Sequence, residues 1–302
     1  MRKAAWPGSA LVLGLLLAAT PVSASGAPGV SMKSAGRTAH QAPFDGAESQ
    51  RLGRLLALAA EYCARLSRSS IDFVCLEDIT EKIQERNPVY PTSAFGRPGW
   101  RNDIVTHRYL YDYQFVVESG RKTEKRRMLE HDGIKKDKEV IGLDTLSFFY
   151  KNVLFGAVDL LDASRQGFYR YSLEGRETED GRPVSVIAAD PVPGLGSTLN
   201  RGTVWIREDD AAILKIVWNV ADMEGAPAIL ETAKEFKGTP RILQVTEFGL
   251  EKNGIRFPSR FGIEEAYIDK KGRKRVRSEL DVVYRDYKFF TVETATTAIK
   301  RP

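Results

Sequence analysis

What most constrains this chain is a series of turn signals set at short intervals between runs of β-forming residues. Glu179-Asp180-Gly181-Arg182 separates residues 168–173 from 184–188, and Glu208-Asp209-Asp210 separates 203–207 from 213–219. Glu251-Lys252-Asn253-Gly254 separates 242–250 from 255–268, and its Asn-Gly pair is the strongest short-range hairpin signal there is. A last turn over 269–273 leads out through Leu280, Val282, Tyr284 and Tyr287 to Phe290. Earlier, residues 107–117 are rich in Tyr, Phe and Val, and 123–130 returns as their partner across Ser119-Gly120. Roughly ten strands joined by hairpins make a meander, so the fold class is α+β, mainly β: a curved antiparallel sheet or unclosed half-barrel. Alternating βα units of the Rossmann or TIM kind are excluded.

Two elements precede the meander. Leu52, Leu55, Leu56, Ala59, Tyr62, Cys63 and Leu66 recur at spacings of three and four, the stripe of an amphipathic N-terminal helix. The period then changes to two: Ile71, Phe73, Cys75, Ile79 and Ile83 share one face of a strand, with Asp72, Asp78, Thr80 and Lys82 on the other. Cys63 and Cys75 are the only cysteines, each on the apolar side of its element. In an oxidising compartment a disulfide would clip helix to strand, contributing about 3 kcal/mol by loop entropy; the alternative is two separate buried thiols.

One segment interrupts the meander. From Leu143 to about residue 165 the chain is too long and too apolar for a hairpin loop. Asp144 suits a helix cap, Leu146, Phe149 and Val153 follow at helical spacing, and Gly156 divides this from a second short helix with Val158, Leu160 and Leu161. So many large apolar side chains must cover something. Either the helices complete a solid core, or they form a lid over a hydrophobic cavity.

The N-terminus reads as an export signal. Arg2 and Lys3 precede an apolar run over residues 10–19, Pro21 breaks it, and Val22-Ser23-Ala24 offers small residues for cleavage near Ala24. The run is too short for a membrane span, and no later segment reads as one. Residues 1–24 are thus expected to be a signal peptide, 25–45 a disordered leader rich in Gly, Ser, Ala and Pro, and 46–302 one domain with the helical insertion at 143–165. The protein is expected to be periplasmic. Arg2 and Lys3 supply two of a formal charge of only +5, which calls for no nucleic-acid partner. The basic runs at 121–127 and 270–275 suit hairpin tips or solvated strand faces.

No catalytic or dinucleotide fingerprint is present. His40, His107 and His131 are the only histidines and are isolated in sequence, so no metal ligand set, cofactor or catalytic residue is assigned. Glu77, Asp78, Glu81, Glu264 and Glu265 suit solvated strand positions, although Glu77 and Glu81 share the parity of Ile79 and have the option of facing a polar part of the interior. The chain is therefore not expected to be an enzyme; a paired-carboxylate hydrolase is the alternative, since such residues can lie far apart in sequence. Tyr109 and Tyr111 on one strand face, with Phe148, Phe149, Val153, Leu154, Phe155 and Leu160 of the insertion and Trp205 and Trp218 of the later hairpin, are the candidate ligand lining or lid.

The segments Arg201-Gly202-Thr203-Val204-Trp205-Ile206-Arg207-Glu208-Asp209, Ala212-Ile213-Leu214-Lys215-Ile216 and Gly181-Arg182-Pro183-Val184-Ser185-Val186-Ile187, together with the order of elements over residues 48–290, resemble the LolA/LolB-like superfamily of outer-membrane lipoprotein carriers, which includes RseB-type sensors and mycobacterial lipid-binding lipoproteins. The resemblance implies an N-terminal helix inside an unclosed half-barrel and mid-chain helices as a lid. The implied function is binding or carrying a hydrophobic ligand, such as lipid or lipoprotein acyl chains, and Arg108 is the candidate for the carriers' arginine near the cavity. The chain departs from that pattern in its length and in extra sequence near 86–101 and 225–239. A non-catalytic envelope interaction or sensor module, with other envelope proteins as partners, stands as the second reading of the same fold.

Overall fold

The computed structural model describes residues 46–68, 72–89, 99–118, 121–140, 143, 148, 150, 152–195, 199–220, 223 and 226–290. The expected signal peptide and leader, Phe149 and the end of the chain lie outside them. Helix α1 (Gly46–Arg68) buries Leu55, Ala59, Tyr62, Cys63 and Leu66. Strands β1 (Asp72–Val89), β2 (Gly99–Glu118), β3 (Arg121–His131) and β4 (Ile134–Val140) follow as a meander. A 3-10 turn (Val153–Phe155) and helix α2 (Gly156–Leu161) lead to β5 (Tyr169–Glu179), β6 (Arg182–Pro191), β7 (Arg201–Arg207) and β8 (Ile213–Asn219). Helix α3 (Pro227–Glu235), with Pro in its first turn where no amide donor is needed, precedes β9 (Thr239–Glu247). A small hairpin of β10 (Leu250–Lys252) and β11 (Ile255–Phe257) leads to β12 (Arg260–Ile268) and β13 (Lys274–Phe290).

Among the described residues, eleven strands form one antiparallel sheet in the order β4-β3-β2-β1-β13-β12-β9-β8-β7-β6-β5, while β10 and β11 pair with each other as a separate hairpin. The order is two meanders joined where β1 pairs with β13, with Asp72 opposite Phe290. The sheet is open: β4 forms one edge and β5 the other. This arrangement explains the apolar insertion. Residues 141–168 are the connection from one edge strand to the other, and the short route between them lies across a face of the sheet. A chain that crosses a sheet face must be apolar on its underside. Its Val153, Leu154, Ala157, Leu160 and Leu161 join α1, α3 and the facing strand residues in a single buried core.

Turn chemistry sets the hairpins. Asp132-Gly133, Asp180-Gly181 and Asn253-Gly254 all lie at positive φ, the paired left-handed geometry that a two-residue hairpin requires. The β7–β8 turn instead is held by charge. Arg207 Nε donates to Asp210 Oδ1 at 2.9 Å, and Asp210 also accepts from the Ala212 amide at 3.1 Å. These contacts, Arg207 foremost, hold the Asp210 carboxyl at about 2 against an ordinary 3.8. A carboxyl with a lowered folded pKa stabilises above its unfolded value, and the contribution is lost as pH falls from about 4 towards 2. Because Asp210 is half open to solvent, the effect is modest. Amide exchange at the β7–β8 turn is expected to rise over that window, and Asp210→Asn is expected to remove the pH dependence; an unchanged profile in the variant would count against this linkage.

The expected Cys63–Cys75 disulfide does not form; both thiols are free and buried. Cys63 faces α2, where its S–H donates to the Ala157 carbonyl oxygen at 3.4 Å. Cys75 sits in the middle of the sheet, opposite Tyr113 on β2 and near Tyr287 of β13. An apolar side on each element did not imply a common location, since α1 docks chiefly on α2 and β5. Burial raises the Cys63 thiol to about 12 and Cys75 well above the ordinary thiol range, so both are held as inert thiols.

Candidate functional site

The helix-covered face of the sheet is apolar at its flanks but charged at its centre. Period two brings Phe73, Cys75, Glu77, Ile79, Glu81 and Ile83 of β1 to this face, and Glu77 and Glu81 are fully buried there. For Glu77 and Glu81 the inward option that their parity with Ile79 left open is the one adopted, while the expectation of solvated positions is corrected for Glu264 and Glu265, which are also buried. Asp78 alone of the five faces solvent, 3.1 Å from Arg285 Nη2. Each buried carboxylate has a donor, as burial demands. Arg126 of β3 grips Glu77 with Nε to Oε2 at 2.7 Å and Nη2 to Oε1 at 3.1 Å. Tyr109 donates to Glu81 at 3.2 Å, Lys274 to Glu264 at 2.6 Å, and Arg277 and Ser278 to Glu265 at 2.6 and 2.5 Å.

The Glu77–Arg126 pair is caged by aromatic rings. The Arg126 guanidinium lies 4.6 Å from the Tyr113 ring centre and 5.3 Å from that of Tyr150. Tyr150 donates to Glu77 Oε1 at 3.4 Å, and Tyr113 to Glu124 at 2.9 Å. Burial pushes the Tyr113, Tyr150 and Tyr284 hydroxyls well above their ordinary range, with the Glu77 and Glu124 charges adding to it. Burial also works against the Arg126 charge, but Glu77 outweighs it and keeps the guanidinium cationic. Arg126 lies within a basic run that sequence patterning assigns to solvent. Its parity with Met128, which is buried beside it on β3, is the signal that would have turned it inward.

Most of the candidate lining converges on the helix-covered face. Tyr109, Tyr111, Phe148, Val153, Leu154, Leu160 and Trp218 are buried in its core, with Phe155 packed against it 5.6 Å from Phe115. The underside of α2 meets β7 and β8 closely. A β-carbon at Gly202 would fall 3.0 Å from both Leu160 methyl groups, and one at Gly156 would fall 3.9 Å from the Trp218 indole nitrogen. Glycine at 202 is what permits the closer approach, whereas at 156 a β-carbon would sit at ordinary contact distance. Two candidates lie elsewhere. Arg108, opposite in parity to Tyr109, is exposed on the other face, and Trp205 packs there with Val184, Ala212 and Leu214 under Lys215.

Two cavities open among the described residues. One of about 650 Å3 is bordered by Phe236, Tyr267, Asp269, Lys271, Arg273 and Lys274 near the β12–β13 turn, and one of about 460 Å3 by Glu124, Arg126, Arg127, Glu139 and Val140.

A second cluster was not legible from spacing. The β2–β3 ladder sets His131, at the end of β3, opposite Tyr109 and so near His107 on β2, and the β3–β4 turn places Asp132 beside both rings. His107 Nδ1 lies 2.7 Å from Asp132 Oδ2, and His131 Nε2 lies 3.3 Å from the same oxygen. Asp132 Oδ1 accepts from the Arg108 amide at 2.7 Å; this bond first, then His107, holds its carboxyl below the ordinary range. The register of the β2–β3 hairpin, which sets His131 opposite Tyr109, was the clue that would have placed His131 near His107.

No family model matches the chain, and no curated protein matches it. Among solved structures, a domain provisionally assigned to outer-membrane lipoprotein sorting from Vibrio parahaemolyticus is 12% identical over 78% of this chain and 92% of that one, with TM-score 0.34. A DUF1329 family protein from Desulfovibrio piger is 12% identical over 78% and 94%, TM-score 0.31. A LolA superfamily protein from Nitrosomonas europaea is 12% identical over 78% and 94%, TM-score 0.29. These are what the chain is distantly similar to; at such TM-scores the likeness carries no argument about ligand, partner or compartment.

Proposed function

We propose that this is an exported, non-catalytic binding protein of the cell envelope that takes an amphiphile, a lipid or the acyl chains of a lipoprotein, between its open sheet and the strap that carries α2. One observation carries the reading: within the connection between the two edge strands, α2 packs its Leu160 onto Gly202 and Trp218, over an apolar part of the sheet face. Lifting it would uncover the sheet residues that α2 approaches, Trp218 and Ile216, within an apolar core suited to an acyl chain. In the closed state these residues are covered by the strap, so ligand and strap compete for the same surface.

Two other readings find less support. Both sheet edges are guarded against strand addition: β4 exposes Lys135, Lys136, Asp137, Lys138 and Glu139, and β5 ends in exposed charges. The buried carboxylates that a hydrolase would need are each engaged by a donor within the protein.

Protein isolated by its native export route is expected to retain amphiphile detectable by mass spectrometry of its organic extract. After delipidation, it is expected to bind a fluorescent polyene fatty acid saturably at about one site per chain, with displacement by palmitate. Absence of both retained amphiphile and saturable binding would sink the proposal.

A further inference from the structure

We infer that His107, His131 and Asp132 form a binding site for a divalent transition metal of the zinc class, beside Tyr109 at the β3–β4 turn. Two imidazoles and a carboxylate are the donor types that zinc takes, and a fourth position is left for water or an incoming ligand. The three donor atoms lie within 4.8 Å of one another. Bond lengths of about 2.0–2.2 Å place tetrahedral donors roughly 3.4 Å apart, so small side-chain rotations bring these into register.

The surroundings organise the cluster as a built site. The Arg108 amide occupies Asp132 Oδ1, which leaves Oδ2 directed at both rings. The His131 ring is stacked on Tyr109, 4.5 Å between centroids and 13° from parallel, so its plane is fixed. Its Nε2 is closed off from bulk solvent and makes no hydrogen bond despite its closeness to Asp132. With the ring proton on Nδ1, that nitrogen is a lone pair without a partner, which a bound cation would satisfy. Behind the site, Tyr109 is hydrogen-bonded to the buried Glu81, which stands directly across from His107 on β1. Glu81 thus places a negative charge behind the cluster and fixes the Tyr109 ring on which His131 stacks. The side chains of His107, His131 and Asp132 remain partly open, so an ion has a path in.

The full chain, purified without a polyhistidine tag and stripped with chelator, is to be titrated with zinc chloride in competition with a chromophoric zinc chelator. One equivalent per chain is expected, with a rise in melting temperature, because a ligand that binds only the native state stabilises it. Cobalt(II) is expected to give the visible absorption of a tetrahedral nitrogen and oxygen site. His131→Ala and Asp132→Asn are each expected to weaken binding by roughly 100-fold or more, at least the upper end of what losing an outer partner costs. Asparagine tolerates the left-handed turn position, so Asp132→Asn tests the site with the hairpin intact, checked by far-UV circular dichroism. Calcium, which needs more oxygen donors, is expected not to compete. Absence of stoichiometric zinc binding, binding unchanged in both variants, or displacement by calcium would overturn the assignment. None of these readouts depends on amphiphile binding.

Discussion

Replacing Arg126 by methionine is expected to destabilise the protein by about 3–5 kcal/mol, since Glu77 would be left as a buried charge without its partner. Glu77 is fully buried and Arg126 nearly so, which separates this pair from the many surface ion pairs whose loss costs roughly 0–1 kcal/mol. For a domain of this size the shift amounts to roughly 10 °C in melting temperature. The double variant Glu77→Leu with Arg126→Met is expected to recover most of the loss, because two apolar side chains remove both desolvation costs together. Urea unfolding of the wild type, both single variants and the double variant checks this as a cycle. A single variant within about 1 kcal/mol of wild type would show that the centre of the sheet is wetter than its geometry indicates.

Leu160→Ala is expected to cost about 2–5 kcal/mol and also to strengthen amphiphile uptake. Leu160 is fully buried over Gly202 and is further fixed by the Tyr171 hydroxyl, which donates to its carbonyl at 2.5 Å. Truncation removes contacts that exist only while the strap is down, so the lifted state gains in relative population. A ligand that binds the lifted state then shows higher apparent affinity, by roughly tenfold for each 1.4 kcal/mol of bias. Thermal unfolding and fatty-acid titration on the same variant separate two roles for α2. Lower stability with tighter binding marks a cover; lower stability with no gain in binding marks a plug that merely completes the core.

Hairpins were legible because their turns carry backbone requirements that few residues meet. Asp180-Gly181 and Asn253-Gly254 adopt the positive φ values that their residue types favour. The strands flanking Glu208-Asp209-Asp210 were equally readable, though their turn is held by Arg207 and Asp210. Strand β4 was not, because its residues are charged, exposed and without alternation, the pattern of a guarded edge and of a loop alike. The approach of His131 to His107 was hidden because it follows from the exact register of the β2–β3 ladder, including its bulge at Leu110/Tyr111, which spacing does not give. The charged centre was hidden for a different reason. Glu77 and Arg126 obey the period-two parity of their strands, but a charge on an apolar parity is read inward only when its partner is known, and that partner stands two strands away. The separation of Cys63 from Cys75 likewise depends on where α1 docks, which no local pattern encodes.

The pairing of β1 with β13 has a consequence for how the molecule is made. Most strand pairs here join neighbours in sequence, but Asp72 opposite Phe290 closes a loop that contains nearly the whole sheet. Contacts of such high sequence separation are the slow ones in folding. As the chain emerges vectorially, β1 can acquire β2 at once, yet its other side stays an unpaired row of amides and carbonyls until the last strand arrives. For that interval the nascent protein is a template for aggregation at its own midline, and a holding chaperone, or a fast late search by β13, becomes part of its biogenesis.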